Sequence, residues 1–361
     1  MYQKDPNLRE VEEKVLAGER LGREDLILLY RSHDILTIGR LANVVRERKN
    51  GNRAYFVVNR HINPTNICVN RCKFCAFSRD PGDRDAYVLS LREVRRRAEE
   101  AAAAGVTEVH IVGGLHPDLP FEYYLDVLRA VREVLPDVHL QAYTAVEIAY
   151  FADISGLSVE QTLEKLREAG MGSIPGGGAE VFSPRVRKLV CPKKISGERW
   201  LEVMRTAHRM GIRSNATMLY GHVETIEERV DHLLALRALQ DETGGFMAYI
   251  PLAFHPQHTA LAHLAPTTGF DDLKALAVGR LALDNFDHIK AFWIMLGLKA
   301  AQVSLWFGAD DLDGTVVEEH ITHAAGAQTP QGVARDELVR LIEEAGREPV
   351  ERDTLYNVVS R

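Results

Sequence analysis

The chain has 361 residues, 46% of them hydrophobic and 26% charged, with a formal net charge of -7. That size and balance suit a globular fold with one large core or two modest ones. They argue against a nucleic-acid binder held by backbone phosphates, which needs a basic patch, and no apolar run reaches the length of a membrane span.

The opening stretch reads as helical. Residues 8–18, 24–31 and 34–49 carry apolar side chains at three- and four-residue spacing, with Asp34 placed to cap the third helix and Gly51 just past its end. From residue 54 the pattern alternates. Short apolar runs at 55–59 (extendable to 63), 108–112, 139–143, 172–174, 213–219, 246–252, 288–294 and 302–307 read as strands. Amphipathic stretches at 90–104, 121–134, 158–169, 197–210, 225–240 and 270–285 read as the helices between them. Strand–helix repetition means a parallel sheet with helical crossovers. Eight units over about 250 residues is the size of a closed barrel. The expectation is an α/β fold, a (β/α)8 TIM-type barrel over 54–315. A helical extension (1–53) precedes it, and a short helical tail (316–361, with a helix at 334–345) packs on it.

Chemistry in such barrels sits where strands end, and the sequence concentrates polar and glycine-rich groups there. The loop after the first strand holds Cys68, Cys72 and Cys75, spaced C-x3-C-x2-C, with Phe74 before the last. Three thiolates on one loop hold three corners of a cubane iron–sulfur cluster and leave the fourth iron open to a second molecule. Zinc, the competing occupant, wants four ligands; His61 and Cys191 are the nearest candidates and neither has zinc-site spacing. A disulfide would strand one thiol of the three, and no secretory leader points to an oxidising compartment, so a cytoplasmic location is expected.

This cysteine loop resembles that of the radical S-adenosylmethionine (SAM) enzymes. The resemblance implies a [4Fe–4S] cluster on Cys68, Cys72 and Cys75, SAM on its open iron, and Phe74 beside the cofactor. Gly113 and Gly114 end a strand, and without side chains their backbone can approach a ligand closely. They correspond to the Gly-Gly part of the family's Gly-Gly-Glu motif, with Leu115 in place of the Glu. Their alternative role is a tight strand-to-loop turn. Glu147 and Glu180 are strand-end carboxylates that could hold the SAM ribose or ammonium group, or simply supply negative charge to a helix start. His116, His222 and His255 could each donate a hydrogen bond or move a proton near neutral pH, or bond a backbone carbonyl. Arg79 is the first candidate to anchor an anionic substrate, with Arg60 and Arg213 behind it. Trp293 and Trp306 read as core packing, His110 and His288 as structural, and Cys191 as a buried free thiol.

The likeness extends along nearly the whole chain. His61-Ile-Asn-Pro-Thr-Asn-Ile-Cys68, Gly113-Gly-Leu-His-Pro117, Pro175-Gly-Gly-Gly-Ala-Glu180, Ser214 to His222, Ile250 to Pro256 and Gly308 to Thr315 resemble the aminofutalosine synthases of the futalosine route to menaquinone. Sister families are the dehypoxanthine futalosine cyclases and the deazaflavin synthases. The resemblance implies that SAM is consumed. Its 5′-deoxyadenosyl radical adds to the enol ether of 3-[(1-carboxyvinyl)oxy]benzoate, the aryl group migrates, and a carboxyl is lost to give aminofutalosine. It also implies a low-potential electron donor such as flavodoxin or ferredoxin.

Overall fold

The computed structural model describes residues 4–360. Three helices come first, Arg9–Ala17, Arg23–Arg31 and Ile35–Asn50, with the Asp34 carboxylate accepting the Thr37 N–H at the start of the third. They pack outside the barrel. Ile35–Asn50 lies along the late helix Gly269–Ala282, and Arg20 and Arg23 pair with Asp241 and Asp231 of the helix Ile226–Thr243.

Nine strands follow: β1 (Arg53–Val57), β2 (Asn59–Ile62), β3 (Glu108–Ile111), β4 (His139–Ala142), β5 (Ser214–Tyr220), β6 (Phe246–Ala253), β7 (His288–Ile289), β8 (Asp311–Gly314) and β9 (Glu348–Arg352). The ring runs β2–β3–β4, crosses Ser173 and Ile174 by single bridges, and continues β5–β6–β7. Lys290 bridges to Asp311 of β8, and the circle closes where Arg60 pairs with Val317; every pairing in it is parallel. The helices between strands are capped by short-range chemistry. Ser90, Thr144, Ser158, Thr225 and Thr268 each accept the N3 amide while the N3 side chain reaches back, a reciprocal capping box. Fully buried Val109, Ile111, Leu140, Ala216 and Met218 on the strands, with Leu128, Leu163, Val203 and Leu233 on the helices, fill the barrel wall.

Three departures from the expected elements stand out. Residues 302–307 do not form the last strand: they end the helix Leu298–Ser304 and a turn, and β8 starts at Asp311. Phe307 instead packs on Gly39, where a β-carbon would lie 2.4 Å from its ring. The expected strand at 288–294 stops early, because Trp293–Leu296 is helical. The C-terminal segment holds its helix at Arg335–Glu344 but is not only helical, since β9 pairs along β1 in parallel. Arg352 and Tyr356 of that segment both bond the buried Asp311 carboxylate, at 2.6 and 2.7 Å. No helix among the described residues is long and apolar enough to cross a membrane.

Candidate active site

The ring of strand ends opens into a cavity of about 320 Å³, lined at its rim by Cys68, Cys72, Phe74 and Cys75 from the loop after β2. That loop is pinned by its own backbone. The Cys68 N–H reaches the Arg79 carbonyl, Arg79 N–H the Asn66 carbonyl, Val69 N–H the Leu115 carbonyl, and Cys75 N–H the Cys72 carbonyl. Burial pushes the Cys75 thiol up to about 11; a bound metal would bring it to the thiolate.

Gly113 and Gly114 line the cavity, and their first service is to this loop. The Gly114 N–H donates to Thr65 O at 2.8 Å, and a β-carbon on Gly114 would lie 2.2 Å from the Ile67 carbonyl oxygen. Backbone cannot yield as a flexible side chain can. Gly114→Ala is therefore expected to shift the cysteine loop and cut reconstituted iron and sulfide per chain by more than half, with circular dichroism unchanged; full cluster content would show that the contact is tolerated.

Glu147, expected at a strand end, lies at N3 of the helix Ala145–Ser155. It lines the cavity, yet its carboxylate is engaged: Oε1 accepts Gly113 N–H at 2.9 Å, and Oε2 accepts the Thr144 N–H and hydroxyl at 2.7 and 2.8 Å. Burial raises its carboxyl to about 7, against the pull of these donors. A cation brought close by a ligand would favour its ionised form. Glu180, at a φ of 52°, also lines the cavity and pairs with Lys194 at 2.6 Å. The Lys194 ammonium sits 5.3 Å above the Phe74 ring, tying Phe74, Glu180 and Lys194 into one wall.

The structure divides the remaining candidates. His255 lines the cavity, its Nε2 bonded to the Met295 carbonyl at 2.9 Å. His116 and His222 do not reach it. The His116 Nδ1 accepts the Asp118 N–H, two residues on. The His222 ring is buried; its Nε2 donates to the Leu219 carbonyl and its Nδ1 accepts the Val223 N–H at 2.7 Å, with the Glu224 carboxylate 3.0 Å away. Burial alone would raise the Glu224 carboxyl, but His222 and Arg229 hold it down at about 2. Arg79 braces the cysteine loop, donating to the Ala76 and Ser78 carbonyls and pairing with Asp85, and it stays outside the cavity lining. Arg60 is held by Glu100 and Glu318, and Trp293 donates to Gly314 O in the core. Trp306 is half-exposed under the Arg347 guanidinium. Cys191 is buried and free, but not isolated: its thiol lies beside that of Cys72.

Below the rim lies a polar layer that the sequence reading did not single out as a site. His61, His110 and Gln141 are neighbours in register on β2, β3 and β4, so they point the same way, into the cavity. Thr217, Lys290 and Asp313 complete the layer from the opposite side. The two imidazoles stack at 4.4 Å, and burial holds both below the ordinary histidine range. Lys290 has a side chain only 4% exposed and meets Asp313 at 3.4 Å. Burial raises the Asp313 carboxyl; Glu108 beneath it, also raised by burial, is brought down to about 2 by Lys290, Arg352 and His110. One signal was available: a single polar residue inside an apolar strand, as in Val-His110-Ile, Leu-Gln141-Ala and Ile-Lys290-Ala, is worth its desolvation only if it has a partner.

Residues 62–236 match the model of the radical SAM superfamily, and residues 243–361 match that of the CofH/MqnC C-terminal region. The aminodeoxyfutalosine synthase of Thermus thermophilus is 51% identical over 99% of this chain and 97% of its own length. A 5-amino-6-(D-ribitylamino)uracil–L-tyrosine 4-hydroxyphenyl transferase of Methanoculleus marisnigri is 44% identical over 97% of each. Among solved structures, methylornithine synthase superposes with a TM-score of 0.72 at 20% identity, covering 94% of this chain and 97% of that one. A maturase of the [FeFe]-hydrogenase gives 0.76 at 18%, covering 96% and 77%. At those identities the two structures speak for the fold alone.

Radical SAM enzymes use a [4Fe–4S] cluster and SAM, and the residues here fit both. The three loop thiols face one cavity, and among the described residues no three His, Cys, Asp or Glu side chains converge as a single ion would require. A cubane, by contrast, presents its irons at separate corners. The rim beside the thiols offers bare glycine backbone and two carboxylates to a cationic, ribose-bearing cofactor. The chain belongs to the radical SAM enzymes and, within them, to the family of the aminodeoxyfutalosine synthases.

Proposed function

We propose that this enzyme joins the 5′-deoxyadenosyl group of SAM to the enol ether of 3-[(1-carboxyvinyl)oxy]benzoate, with aryl migration and loss of a carboxyl, to give 6-amino-6-deoxyfutalosine in menaquinone biosynthesis. The observation that carries this reading is full-length likeness to two proteins of that name, at 51% and 46% identity. When bound, the cluster supplies one electron that splits SAM; the radical chemistry belongs to the cofactor. The protein's part is to bind, orient and exclude water. Cys68, Cys72 and Cys75 would hold the cluster, with Gly113, Gly114, Glu147 and Glu180 along SAM and Phe74 against it.

The substrate reading draws support from the cavity itself. Its wall carries Val112, Leu115, Ile250, Leu252 and Phe292, apolar surface suited to a benzoate ring. At its floor Lys290 is the cation placed to meet a carboxylate: it meets Asp313 only at 3.4 Å, whereas Lys194 holds Glu180 at 2.6 Å. His255 stands beside the apolar wall with Nε2 occupied, which leaves Nδ1 to face a ligand. An outside low-potential electron donor completes the system, and nothing in the charge pattern calls for nucleic acid.

Anaerobic reaction of reconstituted enzyme with SAM, reductant and the carboxyvinyloxybenzoate is expected to yield an adduct that retains adenine, ribose and the benzoate in one molecule. Mass spectrometry decides it. Free 5′-deoxyadenosine as the sole nucleoside product would defeat the reading in favour of a hydrogen-abstracting sister enzyme, the second reading that the 44% likeness to the archaeal 4-hydroxyphenyl transferase brings in.

A further inference from the structure

We infer that the exposed residues Lys188, Leu189, Pro192 and Lys193, together with Lys73, form the docking surface for a small acidic protein that carries electrons one at a time. The inference rests on the cluster and not on the identity of the substrate. The helix Pro184–Val190 ends directly behind the cysteine loop: the Lys73 N–H donates to Val190 O at 2.8 Å. The next residue, Cys191, is buried beside Cys72. Any electron that enters here has only the loop's own backbone and the Cys72 sulfur between it and the metal.

The charge at this spot is unlike the rest of the surface. Most arginines of the chain are locked into ion pairs, as Arg185 is with Glu228 a few residues before the patch. Lys73, Lys188 and Lys193 are exposed, and their ammonium groups make no ion pair or hydrogen bond among the described residues. They surround apolar surface that is also open to solvent, Leu189 at 44% exposure and Pro192 beside it. An apolar centre with a ring of unpaired charge is the form of a transient, electrostatically steered contact. In a chain of net charge -7, such a local excess of lysine selects an acidic partner over the many proteins the overall charge repels. None of these lysines lines the cavity, so the patch is separate from the substrate site.

The test uses reconstituted holoenzyme and an acidic flavodoxin as probe. Lys188→Glu/Lys193→Glu is compared with Lys165→Glu/Lys299→Glu, which reverses two other exposed lysines and changes net charge by the same amount. The first pair is expected to weaken flavodoxin binding, measured calorimetrically, by at least tenfold, and the wild-type affinity to fall as salt is raised. The second pair should leave binding within twofold. SAM cleavage driven by dithionite, which needs no docking surface, should be equal in all three proteins. Equal weakening by both pairs, or no weakening by the first, overturns the assignment. So does a parallel loss of dithionite-driven cleavage, which would give these lysines a role at the cluster itself. None of these outcomes depends on which product forms.

Discussion

Alanine at any one of Cys68, Cys72 or Cys75 is expected to abolish turnover and to leave reconstituted protein with little iron or sulfide, whereas Cys191→Ala should retain both. The difference follows from position. The three loop sulfurs line the cavity, and Cys191 does not. Losing a metal ligand should cost more than the 10- to 100-fold typical of an outer partner. Cys191 is buried beside Cys72, and with Cys72 bound as a thiolate any hydrogen bond between the two must be donated by the Cys191 thiol. Hydrogen bonds to cluster sulfurs help set the reduction potential, so Cys191→Ala should assemble a full cluster whose potential is more negative. Iron and sulfide analysis with a spectroscopic redox titration reads both quantities. If Cys191→Ala lost iron as fully as the loop variants, the cluster would have four protein ligands and no open corner for SAM.

The cysteine loop was legible because metal chemistry imposes a spacing on neighbouring residues, and the barrel because strand–helix alternation is a local pattern. What failed to show was set by residues far apart in the chain. Val303, Leu305 and Phe307 alternate as a strand would, yet they cap a helix. The true last stave, Asp311–Gly314, is polar and reads as a loop. It can be buried only because Arg352 and Tyr356 arrive from the C-terminal segment to satisfy Asp311, and Lys290 from β7 to meet Asp313. The rim histidines failed in the opposite way. His116 and His222 lie near strand ends as expected, but their own neighbours engage them: the Asp118 N–H takes Nδ1 of His116, and Leu219 O and the Val223 N–H take both ring nitrogens of His222. Position along a strand gives a side chain's level in the barrel; its freedom to act depends on partners that the strand does not contain. Glu147 shows both at once, a cavity carboxylate that is also the N3 half of a capping box.

Lys290 carries the second large expectation. Lys290→Met is expected to raise the KM for the carboxyvinyloxybenzoate roughly 30-fold or more, the equivalent of about 2 kcal/mol lost with a buried carboxylate–ammonium contact. SAM affinity and cluster content should be unchanged, because Lys290 lies in the layer below the rim and touches neither the cysteine loop nor the Glu180–Lys194 wall. The single variant has a cost of its own. It strips Asp313 of its cation and removes the charge that most lowers the Glu108 carboxyl, and breaking a buried pair by removing one partner destabilises by about 3–5 kcal/mol. Lys290→Met/Asp313→Asn separates the two effects. With both charges gone the barrel should recover most of its thermal stability, while the substrate KM stays high. A double variant with normal stability and a KM within threefold of wild type would make the Lys290–Asp313 pair a strut of the barrel and nothing more. The carboxylates would then have to be held by neutral donors on the same layer, Gln141, Thr217 and the two stacked histidines.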